Sequence, residues 1–121
     1  RFVDNEADGS SGDGGGVWGL TKDRVIREND PFNPNLFTFV NTLFRGNFAN
    51  HAGGGFYLND QLDGADPVIS FCTFADNEAG HFGGGAYQRH MFPVVTSSIF
   101  WGNTDACGDE CGPPPSGAIF V

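Results

Sequence analysis

Apolar residues along this chain gather in short runs instead of recurring at helical spacing. Three β-rich stretches, Phe37–Leu43, Val68–Thr73 and Val94–Ile99, each lead directly into the pattern Phe-x-x-Asn. No segment holds a 3.6-residue apolar period for three turns, so the pattern predicts short strands and no helices. Polar and glycine-rich stretches punctuate the runs. Phe-x-x-Asn occurs four times, at Phe2/Asn5, Phe44/Asn47, Phe74/Asn77 and Phe100/Asn103. In three copies a glycine triplet and an aromatic-containing pair follow: Gly14-Gly15-Gly16 before Val17-Trp18, Gly53-Gly54-Gly55 before Phe56-Tyr57, and Gly83-Gly84-Gly85 before Ala86-Tyr87. The fourth copy reaches Ser116-Gly117-Ala118-Ile119-Phe120 after an insertion.

The asparagines are spaced by 42, 30 and 26 residues, yet the motif around them stays fixed. A fixed motif with variable spacing is the behaviour of a solenoid, in which insertions leave at the corners without disturbing the stack. The fold predicted is therefore all-β, a β-solenoid of about four coils beginning near 2, 37, 68 and 94. Insertions are expected at 19–35, 59–67 and 105–116, within one domain covering residues 1–121. Strands of successive coils would pair in parallel about 4.8 Å apart, so equivalent side chains would form ladders. Phe2, Phe44, Phe74 and Phe100 would stack in the interior. Asn5, Asn47, Asn77 and Asn103 would sit at a corner, their amides bonding neighbouring coils and tolerating left-handed geometry there. The glycine triplets would make a corner where a Cβ clashes. Alternation this short leaves open whether Val17, Phe56, Ala86 and Ala118 or Trp18, Tyr57, Tyr87 and Ile119 face inward.

The strings Asn-Thr-Leu-Phe-Arg-Gly-Asn-Phe-Ala-Asn-His-Ala-Gly-Gly-Gly-Phe-Tyr, from Asn41, and Ser-Ser-Ile-Phe-Trp-Gly-Asn-Thr, from Ser97, carry a resemblance. They resemble the right-handed parallel β-helix repeats of bacterial surface and secreted proteins, among them polymorphic outer-membrane-protein repeats and pectate-lyase-like chains. The resemblance implies the handedness and an extracellular or cell-surface location. It does not select among adhesins, passenger domains and polysaccharide enzymes. An enzyme of the pectate-lyase kind would bring clustered aspartates holding Ca²⁺ together with a base.

Nineteen glycines and thirteen phenylalanines against one methionine agree with β structure around an aromatic interior. The formal charge is −9, from 15 acidic and 6 basic residues, which argues against nucleic-acid binding. The acidity reads as solubility for an extracellular protein, with binding of cations or cationic surfaces the sharper alternative. No apolar run approaches the ~20 residues of a transmembrane segment. The chain opens at Arg1 instead of Met, which reads as a processed product or an excerpt, and no Asn-x-Ser/Thr sequon is present.

Candidate chemistry is sparse. Cys107 and Cys111 flank Gly-Asp-Glu and are the candidates for a small-loop disulfide, whereas Cys72 reads as a small buried apolar residue. Asp60, Asp63 and Asp66 are the nearest approach to a Ca²⁺ site, but lack the spacing of a calcium loop. Asp4 and Asp76 share a phase, as do His51 and His81, the latter a surface pair with metal-tethering or pH-sensing potential. No catalytic residue and no cofactor is assigned. Uncovered edges at Phe2 and at Ala118–Val121 template pairing with another chain. The functional expectation is thus a non-catalytic extracellular solenoid that self-associates head to tail, as a filament or surface-fibre subunit. The alternatives are an excerpt of a surface adhesin or passenger domain, and a pectate-lyase-like polysaccharide-active domain. Carbohydrate is a further candidate partner, through Trp18, Tyr57, Tyr87 or Trp101.

Overall fold

The computed structural model describes residues 1–21, 37–60, 67–89 and 93–106. Within them the secondary structure is all β, without a helix, and every strand pair is parallel. The first sheet takes β1 (Phe2–Val3), β5 (Leu43–Arg45), β9 (Thr73–Ala75) and β13 (Ile99–Trp101), in the order β1-β5-β9-β13. The second takes β2 (Glu6–Ala7), β6 (Phe48–Ala49), β10 (Glu78–Ala79) and β14 (Thr104–Asp105), in the same succession of repeats. A third stacks β3 (Val17–Thr21), β7 (Phe56–Asp60) and β11 (Ala86–Arg89). A fourth stacks β4 (Thr38–Val40), β8 (Val68–Ser70) and β12 (Val94–Thr96). Neighbouring strands of each sheet come from successive repeats, an arrangement compatible with a β-solenoid.

Register follows the repeat. Phe2 lies opposite Phe44, Phe44 opposite Phe74, and Phe74 opposite Phe100. Phe2 is thus in step with Phe44 and not with Phe37, so the first repeat enters one strand later than those beginning near 37, 68 and 94. Two of the expected insertions start later than their sequence limits. β3 continues through Gly19 to Thr21, and β7 through Asn59 to Asp60, because Leu20 and Thr21 stay paired with Asn59 and Asp60. Asp60 accordingly ends a strand and does not open an acidic loop. Asp63, Asp66, Cys107, Cys111 and the Ser116–Phe120 segment lie outside the described residues.

Strands this short need sharp corners, and three ladders of left-handed residues make them. Asp4, Gly46, Asp76 and Gly102 share one corner, with φ of 54°, 63°, 54° and 62°. Asn41, Phe71 and Ser97 share another, at 50°, 53° and 47°. Gly14, Gly53 and Gly83 share the third, at 68°, 73° and 61°. The first corner corrects an expectation. The left-handed residue is the one before each ladder asparagine, not the asparagine, and Asn47 and Asn77 follow it with their side chains fully buried. At the third corner glycine also answers to crowding between repeats. A Cβ on Gly54 would lie 2.3 Å from the Gly84 carbonyl oxygen and 2.4 Å from that of Glu78.

The interior is aromatic. Phe44, Phe56, Leu58, Ile69, Cys72, Phe74 and Ala86 form the buried cluster, with Phe2, Val17, Phe37, Phe39 and Phe100 packed against it. Inward facing at the third sheet therefore belongs to Val17, Phe56 and Ala86. The phenylalanine rings stack with centroids 5.1 Å apart for Phe2–Phe44 and 4.5 Å for both Phe44–Phe74 and Phe74–Phe100. Phe56 meets Phe44 and Phe74 edge-on, at 5.9 and 5.4 Å. Such offset and T-shaped contacts add to the area burial of the rings. Cys72 is buried, with its thiol donating weakly to the Phe39 and Ser70 carbonyls at 3.4 and 3.3 Å.

Candidate functional site: the asparagine ladder and its two ends

The left-handed corner aims each asparagine of the repeat along the stack. Asn47 shows how one is satisfied. Its Oδ1 accepts from the backbone N–H and the Nδ2 of Asn5, at 3.1 and 2.8 Å. Its own Nδ2 donates back to the Phe2 carbonyl at 3.0 Å and forward to Asn77 Oδ1 at 2.8 Å, while its backbone N–H reaches the same Oδ1 at 3.1 Å. Asn77 repeats the set toward Phe44 and Asn103, and Asn103 Nδ2 donates to the Phe74 carbonyl at 2.9 Å. A primary amide has two donors and an acceptor oxygen with two lone pairs, and inside the stack all four positions are used.

The ladder has a direction. The backbone N–H and one Nδ2 hydrogen of each interior asparagine point toward the later repeat, and its oxygen and second Nδ2 hydrogen toward the earlier one. Among the described residues, Asn5 Oδ1 therefore receives no donor, and the Asn103 backbone N–H finds no acceptor. Burial follows the same gradient: Phe44 and Phe74 are fully buried, whereas Phe2 and Phe100 are only partly so. The fourth sheet shows it most sharply. Ile69 is fully buried, and Val95, registered on it and facing the same way, is 39% exposed.

Asp4 and Asp76 sit two repeats apart at the left-handed corner, with Gly46 between them and Gly102 beyond. Each aspartate leans over the glycine of the next repeat: a Cβ on Gly46 would lie 2.4 Å from Asp4 Oδ1, and one on Gly102 2.6 Å from Asp76 Oδ1. Arg45 approaches Asp76 at 3.7 Å, an exposed pair that contributes little to stability. The two aspartates are thus corner residues and do not converge as a carboxylate pair.

His51 and His81 do come together, with ring centroids 5.4 Å apart. Sequence reasoning missed their partner, Asp13, whose Oδ1 lies 2.7 Å from His51 Nδ1. Asp13, directly before Gly14, stands where the later repeats carry Ala52 and Phe82, so no shared residue marks it. Among the described residues, no group of three or more His, Cys, Asp and Glu is placed to hold a metal ion. Beside the histidines, Tyr57 and Tyr87 stack at 5.3 Å and are nearly buried with Ala52 and Phe82. Trp18 and Trp101, the exposed tryptophans, stand on different sheets and make no common platform.

Burial pushes both tyrosine phenols above their ordinary pKa of 10.0, and the Asp13 carboxylate adds to the rise. Arg89 opposes it at both rings. A phenol with a raised folded pKa binds its proton more tightly in the native state. Its contribution to stability is then present below about pH 10 and lost as pH rises through the folded value. Urea midpoints are expected to fall between about pH 8 and about pH 11, and to fall less in the Tyr57→Phe, Tyr87→Phe double variant. The chain has only these two tyrosines, so tyrosinate absorbance reads them directly. Equal falls in both proteins would show that the phenols do not carry the effect.

Among the described residues no helix is long and apolar enough to cross a membrane. In comparisons with protein-family models, with curated proteins and with solved structures, nothing matches this chain.

Proposed function

We propose that this chain is a right-handed parallel β-helix that serves as a non-catalytic extracellular structural element, self-associating head to tail as a filament or surface-fibre subunit. Handedness is supported by the general rule that crossovers between parallel strands of one sheet are right-handed. The resemblance of the Phe-x-x-Asn and glycine-triplet strings to bacterial surface repeats supports the same fold and location. The strongly acidic composition suits a soluble extracellular surface.

The observation that carries self-association is the contrast between Phe74 and Phe100. They occupy the same inward position of consecutive repeats, one fully buried and the other only partly so. Ile99 and Trp101 of the same last described strand are exposed. Rows of strand N–H and C=O groups at such an end accept another parallel strand readily. A heterologous contact that does not close on itself propagates as a filament.

Sedimentation velocity over a wide range of concentration, with negative-stain microscopy of the same samples, tests this reading. Species that grow with concentration, and elongated particles of uniform width, are expected. Dispersed monomers at high concentration and neutral pH would overturn it.

A further inference from the structure

Taking the end-to-end association proposed above as given, we infer that the join is one additional rung of the ladder, made in register between the Phe100–Ala106 segment of one copy and the Phe2–Asp8 segment of the next. The hydrogen-bond chemistry of the two ends is complementary and not merely unpaired. Asn103 carries the donors that every interior asparagine sends forward, and Asn5 carries the Oδ1 that every interior asparagine uses to receive them. Seated together, the Asn103 backbone N–H and Nδ2 donate to Asn5 Oδ1 of the next copy, whose Nδ2 donates back to the Phe100 carbonyl. The main chain continues in the same sense. Asp4, Gly46 and Asp76 donate their N–H groups to the carbonyls of Arg45, Ala75 and Trp101. Gly102 is left to donate to Val3 of the incoming copy. Glu6 of that copy takes Asn103 as acceptor, as Phe48 takes Asn5 and Glu78 takes Asn47.

Two features select this join over others. Reversing one copy sets asparagine donors against donors at one kind of contact and oxygens against oxygens at the other, so head-to-head and tail-to-tail stacking lose the rung. The corner ladder reads Asp4, Gly46, Asp76, Gly102, and each aspartate needs a glycine on the next repeat to lean over. An in-register join brings Asp4 after Gly102 and keeps the alternation unbroken. The phenylalanine column also continues, Phe2 on Phe100, at the spacing of its interior members.

Cysteine cross-linking tests the register. Val3 and Trp101 occupy equivalent outward positions of the first sheet, through Arg45 and Ala75. The join therefore places them opposite each other, within disulfide reach for neighbouring parallel strands. In a background carrying Cys107→Ser and Cys111→Ser, chains with Val3→Cys are mixed with differently tagged chains carrying Trp101→Cys and then oxidised. The expected product is the mixed dimer alone. Homodimers of either variant, or no cross-link while sedimentation still shows oligomers, overturn this join and leave self-association standing. Monomers throughout overturn both. A charge test runs alongside, because position 101 is to Asp4 of the next copy what Arg45 is to Asp76. Trp101→Arg is expected to preserve assembly, and Trp101→Asp to raise the concentration at half-assembly by about fivefold. Equal behaviour of the two would count against the join.

Discussion

Replacing Asn77 with alanine is expected to cost about 4 kcal/mol or more, enough to unfold much of a small domain's population. The side chain is fully buried and makes four hydrogen bonds. Its loss leaves the Asn47 backbone N–H and one Nδ2 hydrogen without their acceptor and takes the amide donor from the Phe44 carbonyl, while Asn103 Oδ1 keeps only the backbone N–H of residue 77. Each stranded buried group costs about 1–3 kcal/mol, and a methyl group in the gap satisfies none of them. Asn5→Ala removes only one such bond, from an exposed residue, and its backbone N–H still reaches Asn47 Oδ1, so its cost should be near 1 kcal/mol. Urea unfolding of both variants, followed by circular dichroism, measures the difference. A loss below about 1 kcal/mol for Asn77→Ala would mean that the ladder does not hold the repeats together.

Phe74→Ala should be comparably damaging, at about 3–5 kcal/mol. Its ring is fully buried between Phe44 and Phe100, at 4.5 Å from each, and the edge of Phe56 closes the remaining side. Truncation leaves a void bounded by stacked rings and paired backbone, which can collapse only by breaking register. Phe100→Ala, at the open end of the same column, should cost roughly half as much in dilute monomer. The gap between the two variants should narrow under conditions that favour assembly, where a neighbouring copy would cover Phe100. Equal losses in dilute solution would show that the end of the column is already covered.

Much of this fold could be read from the sequence because stacking imposes identity. When a side chain bonds or stacks on its own equivalent, the same residue must recur, and Phe and Asn recur in all four copies. Other positions needed only compatible shapes. At the fourth sheet Phe39, Ile69 and Val95 share an inward position with no common residue, so only the apolar pattern marked it. The left-handed corner was harder to see. Asparagine tolerates that geometry well, but here Asp and Gly take it in turn, leaving the asparagine free to face its neighbours. Facing at the third sheet was undecidable from two residues of alternation; packing of Phe56 against Phe44 and Phe74 decides it. The His51–Asp13 contact had no periodic trace at all.

The passage from the third strand of one repeat to the fourth strand of the next has a different character from the other corners. Sixteen residues separate Thr21 from Thr38, seven separate Asp60 from Val68, and four separate Arg89 from Val94. By contrast, Phe44 to Gly53 and Phe74 to Gly83 span the same length, with the asparagine and left-handed residue fixed between them. Chain length therefore varies most at one edge of the stack, whereas the stretch from Phe2 to Gly14 exceeds its counterparts by only three residues. That edge is a natural grafting point: foreign peptides introduced there would be displayed in a row at strand spacing, while the rungs beneath continued to set their pitch.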